Sequence, residues 1–193
     1  MTSDQAQFYI IGNNLALDFI NSATHELNAG GLAIWAAAVG LIEREKGISL
    51  MDEWRNADLV ELSSFRERLR EVVVELVGSK KLKNVDIKWI NEILREKGGY
   101  SELVKTPDGF AKQSKIDLKE VPEVRVPIVE AFVDLVALGN IDYIRKCERT
   151  DCILYFYDTT KNHRRRWCSM SVCGNRAKVA KFYEKQRSKT PGE

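Results

Sequence analysis

The chain has 193 residues, of which 44% are hydrophobic and 30% are charged, and its formal net charge is +2. This composition is typical of a globular protein of one or two domains, and it excludes a membrane helix, since no run approaches the roughly 18 apolar residues required. The opening MTSDQAQFYIIGNN lacks a basic start and a long apolar run, so we predict no signal peptide and expect a cytoplasmic protein.

Residues 1–140 are expected to form a mainly helical domain. The apolar run at residues 8–11 fits a strand or a helix lead-in, and Asn14 is suited to cap a helix that continues through Asn21. Residues 25–31 are predicted to form a loop. Further helices are predicted over residues 32–46, from near Asp52, over residues 57–77 and over residues 85–97. In residues 57–77, apolar residues recur at three- and four-residue steps, which predicts a buried face.

A small β-hairpin interrupts the helices. Its strands are predicted at residues 100–105 and 110–116, with a turn at residues 106–109 between them. Pro127 suits the first turn of a last helix, which Gly139 and Asn140 should end. We therefore predict an α+β domain over residues 1–140 and a second domain over residues 141–193, because the charge changes sign and the cysteines begin at this point.

The two predicted domains differ in charge. Residues 141–193 contain 13 Lys and Arg against 6 Asp and Glu, whereas residues 1–140 contain 17 and 22. Such an asymmetry indicates a polyanionic partner for the basic segment, and a solvated basic face would give the same pattern.

All four cysteines lie in the second segment, in the pattern C-x4-C-x15-C-x4-C formed by Cys147, Cys152, Cys168 and Cys173. Two close pairs separated by a loop are typical of a structural zinc site, in which four thiolates complete a tetrahedron. A redox dithiol switch and unrelated core cysteines are the alternatives. Four cysteines close the coordination shell, which argues against a catalytic zinc ion that needs an open position.

The residues between the cysteine pairs suggest a hairpin followed by a helix. Residues 153–157 are β-prone, residues 158–162 are polar turn material, and residues 163–167 are predicted to return as the second strand. A helix is expected from Ser171 onwards, with Cys173 in its first turn. This order of knuckle, hairpin and helix predicts a treble-clef-like finger, whose small core would need the metal to fold.

The sequence RRRWCSMSVCGNRAKVAKFY resembles the CGNR zinc-finger family, whose name is spelled here by residues 173–176. The N-terminal part is similar to the ABATE domain that accompanies this finger, through LDFIN at residues 17–21 and Trp35. The resemblance implies a bacterial, stress-induced transcription regulator with one structural zinc ion.

The residues around the tetrapeptide suggest how the finger meets DNA. Arg176 would project from the first helical turn, where a phosphate could lie against free N–H groups. The other candidates for DNA contact are Arg164, Arg166, Asn175, Lys178 and Lys181. Three alternative interpretations give these residues structural roles instead of DNA contacts. Asn175 would be a structural strut, Arg176 would pair with an acid of the N-terminal domain, and Arg165 would face away from Arg164 and Arg166. His163 is expected at the surface and Trp167 in the core of the finger.

Asp18 and Asn21 lie three residues apart among apolar neighbours, so they must find polar partners. They either bond to backbone and fix a neighbouring loop, or line a small-molecule pocket with His25 and Trp35.

Three function classes follow from these features. They are a DNA-binding regulator, a zinc-stabilised adaptor whose basic face meets an acidic protein, and a metal-dependent nuclease. A nuclease would need a second metal site that the sequence does not suggest, and no nucleotide-binding or nucleophile-elbow motif is present, so we expect no enzyme. Because one finger makes too little contact for high specificity, a regulator is expected to act as a homodimer or larger assembly.

Overall fold

The computed structural model describes residues 8–24, 28–42, 55–96, 100–106, 109–115 and 121–187. The helices are α1 (Leu15–Asn21), α2 (Ala29–Ala38), α3 (Asn56–Ser79), α4 (Asn84–Ile93), α5 (Val121–Ala137) and α6 (Asn175–Arg187), with 3-10 turns at Ser22–Thr24 and Ile141–Tyr143. The strands are β1 (Tyr100–Thr106), β2 (Gly109–Lys115), β3 (Ile144–Lys146) and β4 (Tyr155–Tyr157), and a π-helical turn at Met170–Gly174 precedes α6. This confirms the mainly helical fold with one small hairpin.

The core of the helical part is built around α1, α3 and α5, which pack against one another. The apolar stripe predicted on the long helix α3 is buried, from Leu59 to Leu76. Among the largest fully buried side chains are Phe19, Trp35 and Phe132, contributed by α1, α2 and α5. The same core extends to Ile144 and Tyr155, so the helical part and the first strands of the cysteine-rich part bury apolar surface together.

Two helices have bounds that differ from the prediction. Helix α2 begins earlier than expected because the side chain of Asn28 accepts a hydrogen bond from the N–H of Gly31. It ends at Ala38, two residues before Gly40, which adopts a left-handed φ of +75°. The prediction that this helix runs on to residue 46 is therefore wrong, since residues 39–42 are not helical, and the predicted start of another helix near Asp52 lies outside the described residues. Helix α5 begins at Val121, so Pro127 lies inside it and not in its first turn. The proline deprives the helix of one hydrogen bond, and the buried Val124, Ile128 and Phe132 hold the helix together across it.

The hairpin of β1 and β2 was correctly predicted. The two strands pair antiparallel over their full length, from Tyr100 opposite Lys115 to Thr106 opposite Gly109. The preceding helix α4 was also predicted, within a few residues at its end.

The strand pairing in the cysteine-rich part was predicted wrongly. β4 pairs antiparallel with β3, which precedes the first cysteine, and not with residues 163–167. Its other edge is covered by the N-terminal segment, because the N–H of Tyr157 donates to Gly12 O at 2.8 Å and the N–H of Tyr155 donates to Asn21 Oδ1 at 2.9 Å. With both edges of β4 occupied, residues 163–167 have no free edge to pair with.

The last helix of the described residues, α6, packs little against the rest of the described structure. Among its residues 175–186 none is buried, and its principal contacts are with the π-helical turn before it. The knuckle and the following helix are present, but the hairpin predicted between the cysteine pairs is not, and the treble-clef assignment stays a prediction. No helix in the described part of the chain has the length and apolar character needed to cross a membrane.

Candidate metal centre and basic surface

The four cysteines meet in one cluster. Their sulfur atoms lie within 4.8 Å of one another and all four side chains are buried. Cys168 Sγ is 3.4 Å from Cys173 Sγ and 3.8 Å from Cys152 Sγ. A zinc ion with four sulfur ligands at about 2.3 Å separates them by about 3.8 Å, whereas a disulfide would need about 2.05 Å. The cluster therefore has the geometry for one tetrahedral zinc ion.

Two turns present three of the four sulfurs. Cys147 directly follows β3, and its N–H donates to Leu154 O at 2.9 Å across the turn that leads to β4. Cys152 closes that turn by donating to Arg149 O. Cys173 lies in the π-helical turn, where the N–H of Gly174 donates to Ser169 O, five residues back. The sequence predicted a knuckle and a helix start, but not the π-helical turn.

The electrostatics of the cluster favour a cation. Burial raises the pKa of Cys152 to about 11, with its backbone contact to Leu154 acting in the opposite direction. Burial also raises the pKa of Cys168, and the neighbouring thiol of Cys173 adds to this. Burial works the same way on Cys147, but backbone N–H groups of Cys168 and Arg149 leave its pKa lowered. Four thiolates at this distance need a positive ion among them, and zinc deprotonates coordinating thiols.

Gly174 of the CGNR tetrapeptide is explained by close packing. A Cβ at this position would lie 2.5 Å from Met170 Sδ and 3.0 Å from Trp167 Cδ1. The φ angle of Gly174 is not in the left-handed region, so close packing and not backbone conformation accounts for a glycine here. Trp167 packs against the cysteine cluster as predicted.

Arg165 and Asp158 hold the loop between the cysteine pairs. The guanidinium of Arg165 lies 4.2 Å from the centre of the Phe156 ring and donates to the carbonyl oxygens of Ile11 and Trp167, each at 3.1 Å, and to that of Cys168. The buried carboxylate of Asp158 accepts from the N–H groups of Thr160 and Arg165. Burial alone would raise the pKa of Asp158, but these hydrogen bonds lower it.

Of the residues predicted to contact DNA, the structure places some at an open surface and one in an ion pair. Arg164, Arg176, Lys178 and Lys181 are exposed and make no ion pair with the described residues. Arg166 is 61% exposed, but its Nε donates to Glu148 Oε2 at 2.6 Å and its guanidinium lies 5.0 Å from the centre of the Trp167 ring.

Trp167 contacts both Arg166 and the turn that precedes α6. The guanidinium of Arg166 lies 5.0 Å from the centre of its ring, and a Cβ on Gly174 would lie 3.0 Å from its Cδ1. Asn175 is exposed, and its side chain donates to Ser171 O at 3.1 Å, as the strut interpretation expects. Arg165 faces inwards, away from its two neighbours.

His163 is more enclosed than the surface position expected from the sequence. Its Nδ1 lies 2.9 Å from Asp158 O, and its ring stacks on Tyr143 with centroids 3.6 Å apart. The ring therefore supports the loop next to the finger.

The polar pair of α1 is bound to backbone. Asp18 Oδ1 accepts from the N–H groups of Ile11 and Gly12, at 2.9 and 2.8 Å. Burial raises the pKa of Asp18, whereas these two hydrogen bonds and the charge of Arg165 act in the opposite direction. Asn21 Nδ2 donates to Tyr155 O at 2.8 Å and its Oδ1 accepts from Tyr155 N–H. These contacts fix the neighbouring loop and strand β4.

The remaining pocket candidates are only partly placed. Trp35 is 1% exposed and its Nε1 finds no hydrogen-bond partner among the described residues. His25 lies outside them, so the pocket stays a prediction.

Other residues that join the two parts were missed from the sequence. Asn13, with a φ of +57°, donates through its side chain to Tyr157 O at 3.0 Å. Arg70 of α3 donates to Ile153 O at 2.8 Å and lies over the Tyr155 ring. No local pattern marks either residue, because their partners are 83 or more residues away along the chain.

Known families match both parts of the chain. The CGNR zinc finger matches residues 143–186, where the four cysteines cluster. The ABATE family, described as a "putative stress-induced transcription regulator", matches residues 13–139, more than half of the chain. The chain belongs to the ABATE family. No curated protein matches it.

The matches confirm the family resemblance seen in the sequence. Together with the cysteine geometry, they establish an ABATE protein with a zinc-binding CGNR finger. The descriptions of both families are those of a zinc finger and a regulator, not of an enzyme. The four cysteines would hold one structural zinc ion, which orders the finger by joining its two halves.

Proposed function

We propose that this ABATE protein is a bacterial, cytoplasmic transcription regulator that contacts DNA through its zinc finger. The observation that carries the proposal is the difference in environment among the cations of the finger. Arg165 is drawn inwards and holds the fold, whereas Arg164, Arg176, Lys178 and Lys181 point to solvent without an acidic partner among the described residues. Unpaired cations on an ordered surface are what phosphate contacts require.

Zinc positions these cations. The first turn of α6 follows directly on Cys173, so a bound ion would fix Arg176 relative to the loop that carries Arg164 and Arg166. Phosphate contacts of this kind give affinity without sequence reading. Because a single finger covers little DNA, specific binding is proposed to involve a homodimer or larger assembly.

The test is anisotropy of a labelled mixed-sequence duplex, titrated with zinc-loaded protein at several salt concentrations. An Arg164/Arg166/Arg176→Ala variant should bind more weakly and flatten the slope of log affinity against log salt by about 2 to 3, since each phosphate contact contributes about 0.9. A Lys81/Lys88/Arg95→Ala variant removes the same charge from exposed positions of α4 and its surroundings and serves as the control. Equal effects of the two variants would show that DNA binding depends only on the net charge of the protein, and would refute a DNA surface on the finger.

We further propose that the helical part senses a small molecule. Support comes from the side chain of Trp35. Its buried indole N–H has no acceptor among the described residues, as expected of a group that donates to a bound ligand or water. A metabolite screen by thermal shift on the wild type and on Trp35→Phe tests this. A ligand that stabilises the wild type and not the variant is expected, and a screen without any selective ligand would contradict it.

We expect no enzymatic activity. Four thiolates fill the coordination shell of zinc and leave no position for a water or substrate. Incubation of zinc-loaded protein with duplex DNA and magnesium or manganese should leave the DNA intact. Cleavage that survives rigorous purification would favour the nuclease alternative.

A further inference from the structure

The C-terminal helix exposes an apolar face that DNA contacts do not explain. Val179 is 54% exposed, Phe182 58% and Tyr183 61%, and Val172 of the preceding turn is 38% exposed. Positions 172, 179 and 183 are seven and four residues apart, and 182 is three from 179. This spacing puts them along one side of the helix.

The start of this face is a shallow, open part of the helix surface. It is formed only by residues of the helix and of the turn before it: Ser171, Val172, Asn175, Arg176, Val179 and Ala180. An open apolar surface of this kind suits the side chains of an adjacent helix better than an enclosed small ligand.

Within the described residues, the side chains of this helix bury little surface. None of residues 175–186 is buried, although the helix is 13 residues long. Isolated helices of about 12 to 15 residues are marginal in water, and most helical stability comes from packing of an apolar face. A partner that covers Val179 and Phe182 would provide that packing.

The charges beside the apolar face select the kind of partner. Residues 175–186 include Arg176, Lys178, Lys181 and Lys185, against the single carboxylate of Glu184. With 100° per residue, Arg176 lies on one border of the apolar face, whereas Lys178 and Lys185 lie towards the other. Two copies of α6 would bring these cations together, so a second copy is disfavoured. Duplex DNA would satisfy the cations and leave valine and aromatic side chains exposed.

We propose that the apolar face of α6 is a docking surface for an acidic amphipathic helix of a partner protein. The apolar residues of the partner would pack on Val172 and Val179 and cover Phe182, and its carboxylates would face the cations at the borders. The inference does not depend on DNA binding. It shares Arg176 and Lys178 with the proposed phosphate contacts, but it uses the apolar side chains that lie between these cations.

The probe is a labelled 15-residue peptide designed as a helix, with leucines at positions i, i+4, i+7 and i+11 and glutamates on both sides. A second peptide carries lysines in place of the glutamates. Full-length zinc-loaded protein should bind the acidic peptide at least about 10-fold more tightly, because opposite charges meet at the borders and like charges cost affinity. Equal binding, or no binding of the acidic peptide, would overturn the proposal.

Substitutions place the peptide on the protein. Val179→Glu should weaken binding of the acidic peptide at least about 10-fold, whereas Val60→Glu, at a 66% exposed position of α3, should leave it unchanged. Circular dichroism and zinc content check that both variants are folded. Unchanged peptide binding by Val179→Glu would refute the site.

Two further measurements separate other occupants. If sedimentation shows that Val179→Glu dissociates a dimer, the occupant is a second copy and the proposal is wrong. If Val179→Glu weakens duplex DNA as strongly as the peptide, the face is a nucleic-acid surface and the proposal is also wrong. A variant with normal DNA affinity and lost peptide affinity supports it.

Discussion

Replacing Asn21 by alanine should weaken the attachment of the finger to the helical part. The side chain of Asn21 is fully buried, and its amide bonds to both backbone groups of Tyr155, at 2.8 and 2.9 Å. Asn21→Ala leaves the N–H and the C=O of Tyr155 without these partners. Each unsatisfied buried group costs about 1 to 3 kcal/mol, so we expect a loss of about 2 to 6 kcal/mol in the free energy of unfolding.

A loss of this size would be a large share of the whole stability, which is about 5 to 15 kcal/mol for a typical protein. The assay is urea unfolding at a fixed concentration of free zinc, followed by circular dichroism and tryptophan fluorescence. Asn91→Ala, at an exposed position of α4, is the matched control and should change stability by less than about 0.5 kcal/mol. If Asn21→Ala resembles this control, the bonds to Tyr155 do not join the two parts and the reasoning is refuted.

Three further substitutions test the finger. Cys173→Ser removes one of the four ligands and should lower zinc affinity at least about 100-fold, measured in competition with a chromophoric chelator. Ser171→Ala is the control and should leave the affinity unchanged. Equal zinc affinities of the two variants would show that Cys173 is not a ligand. Asp158→Asn should destabilise by about 1 to 3 kcal/mol. This difference in stability should be constant from pH 5 to 8. A carboxylate with a lowered pKa contributes its full stability above the ordinary pKa of 3.8, and this contribution is lost only as the pH falls through the lowered pKa. A difference that shrinks between pH 5 and 8 would contradict the assignment. Arg165→Met should lose about 2 to 4 kcal/mol in urea unfolding, whereas Arg164→Met should keep its stability and lose DNA affinity; the opposite pattern would exchange their roles.

The sequence was sufficient where the signals are local. The cap at Asn14 predicted the start of α1, and the side chain of Asn14 does accept from the N–H of Ala16. The apolar period of α3 and the strands β1 and β2 were likewise recognised, because each depends on residues a few positions apart. The cysteine spacing predicted a metal cluster for a similar reason, since each pair is close in the chain.

The sequence was insufficient where distant residues decide. The partner of β4 could not be predicted, because residues 163–167 and β3 are both able to form a strand, and the free edge is taken by Gly12 and Asn21 from the other end of the chain. The inward position of Arg165 depends on the carbonyl of Ile11, 154 residues away. The buried pair Asp18 and Asn21 predicted polar partners, but only the fold shows that these are backbone groups of two different segments.

The measurement that tests the proposed function most directly is duplex binding as a function of zinc occupancy. Anisotropy of a labelled duplex is followed at one salt concentration while zinc is removed by a chelator and then restored in stoichiometric amounts. We expect binding to be lost without zinc and recovered at one ion per chain, because the metal joins the loop of Arg164 to the first turn of α6. Binding that is the same with and without zinc would show that the cations act without the folded finger, and would contradict a zinc-dependent DNA surface.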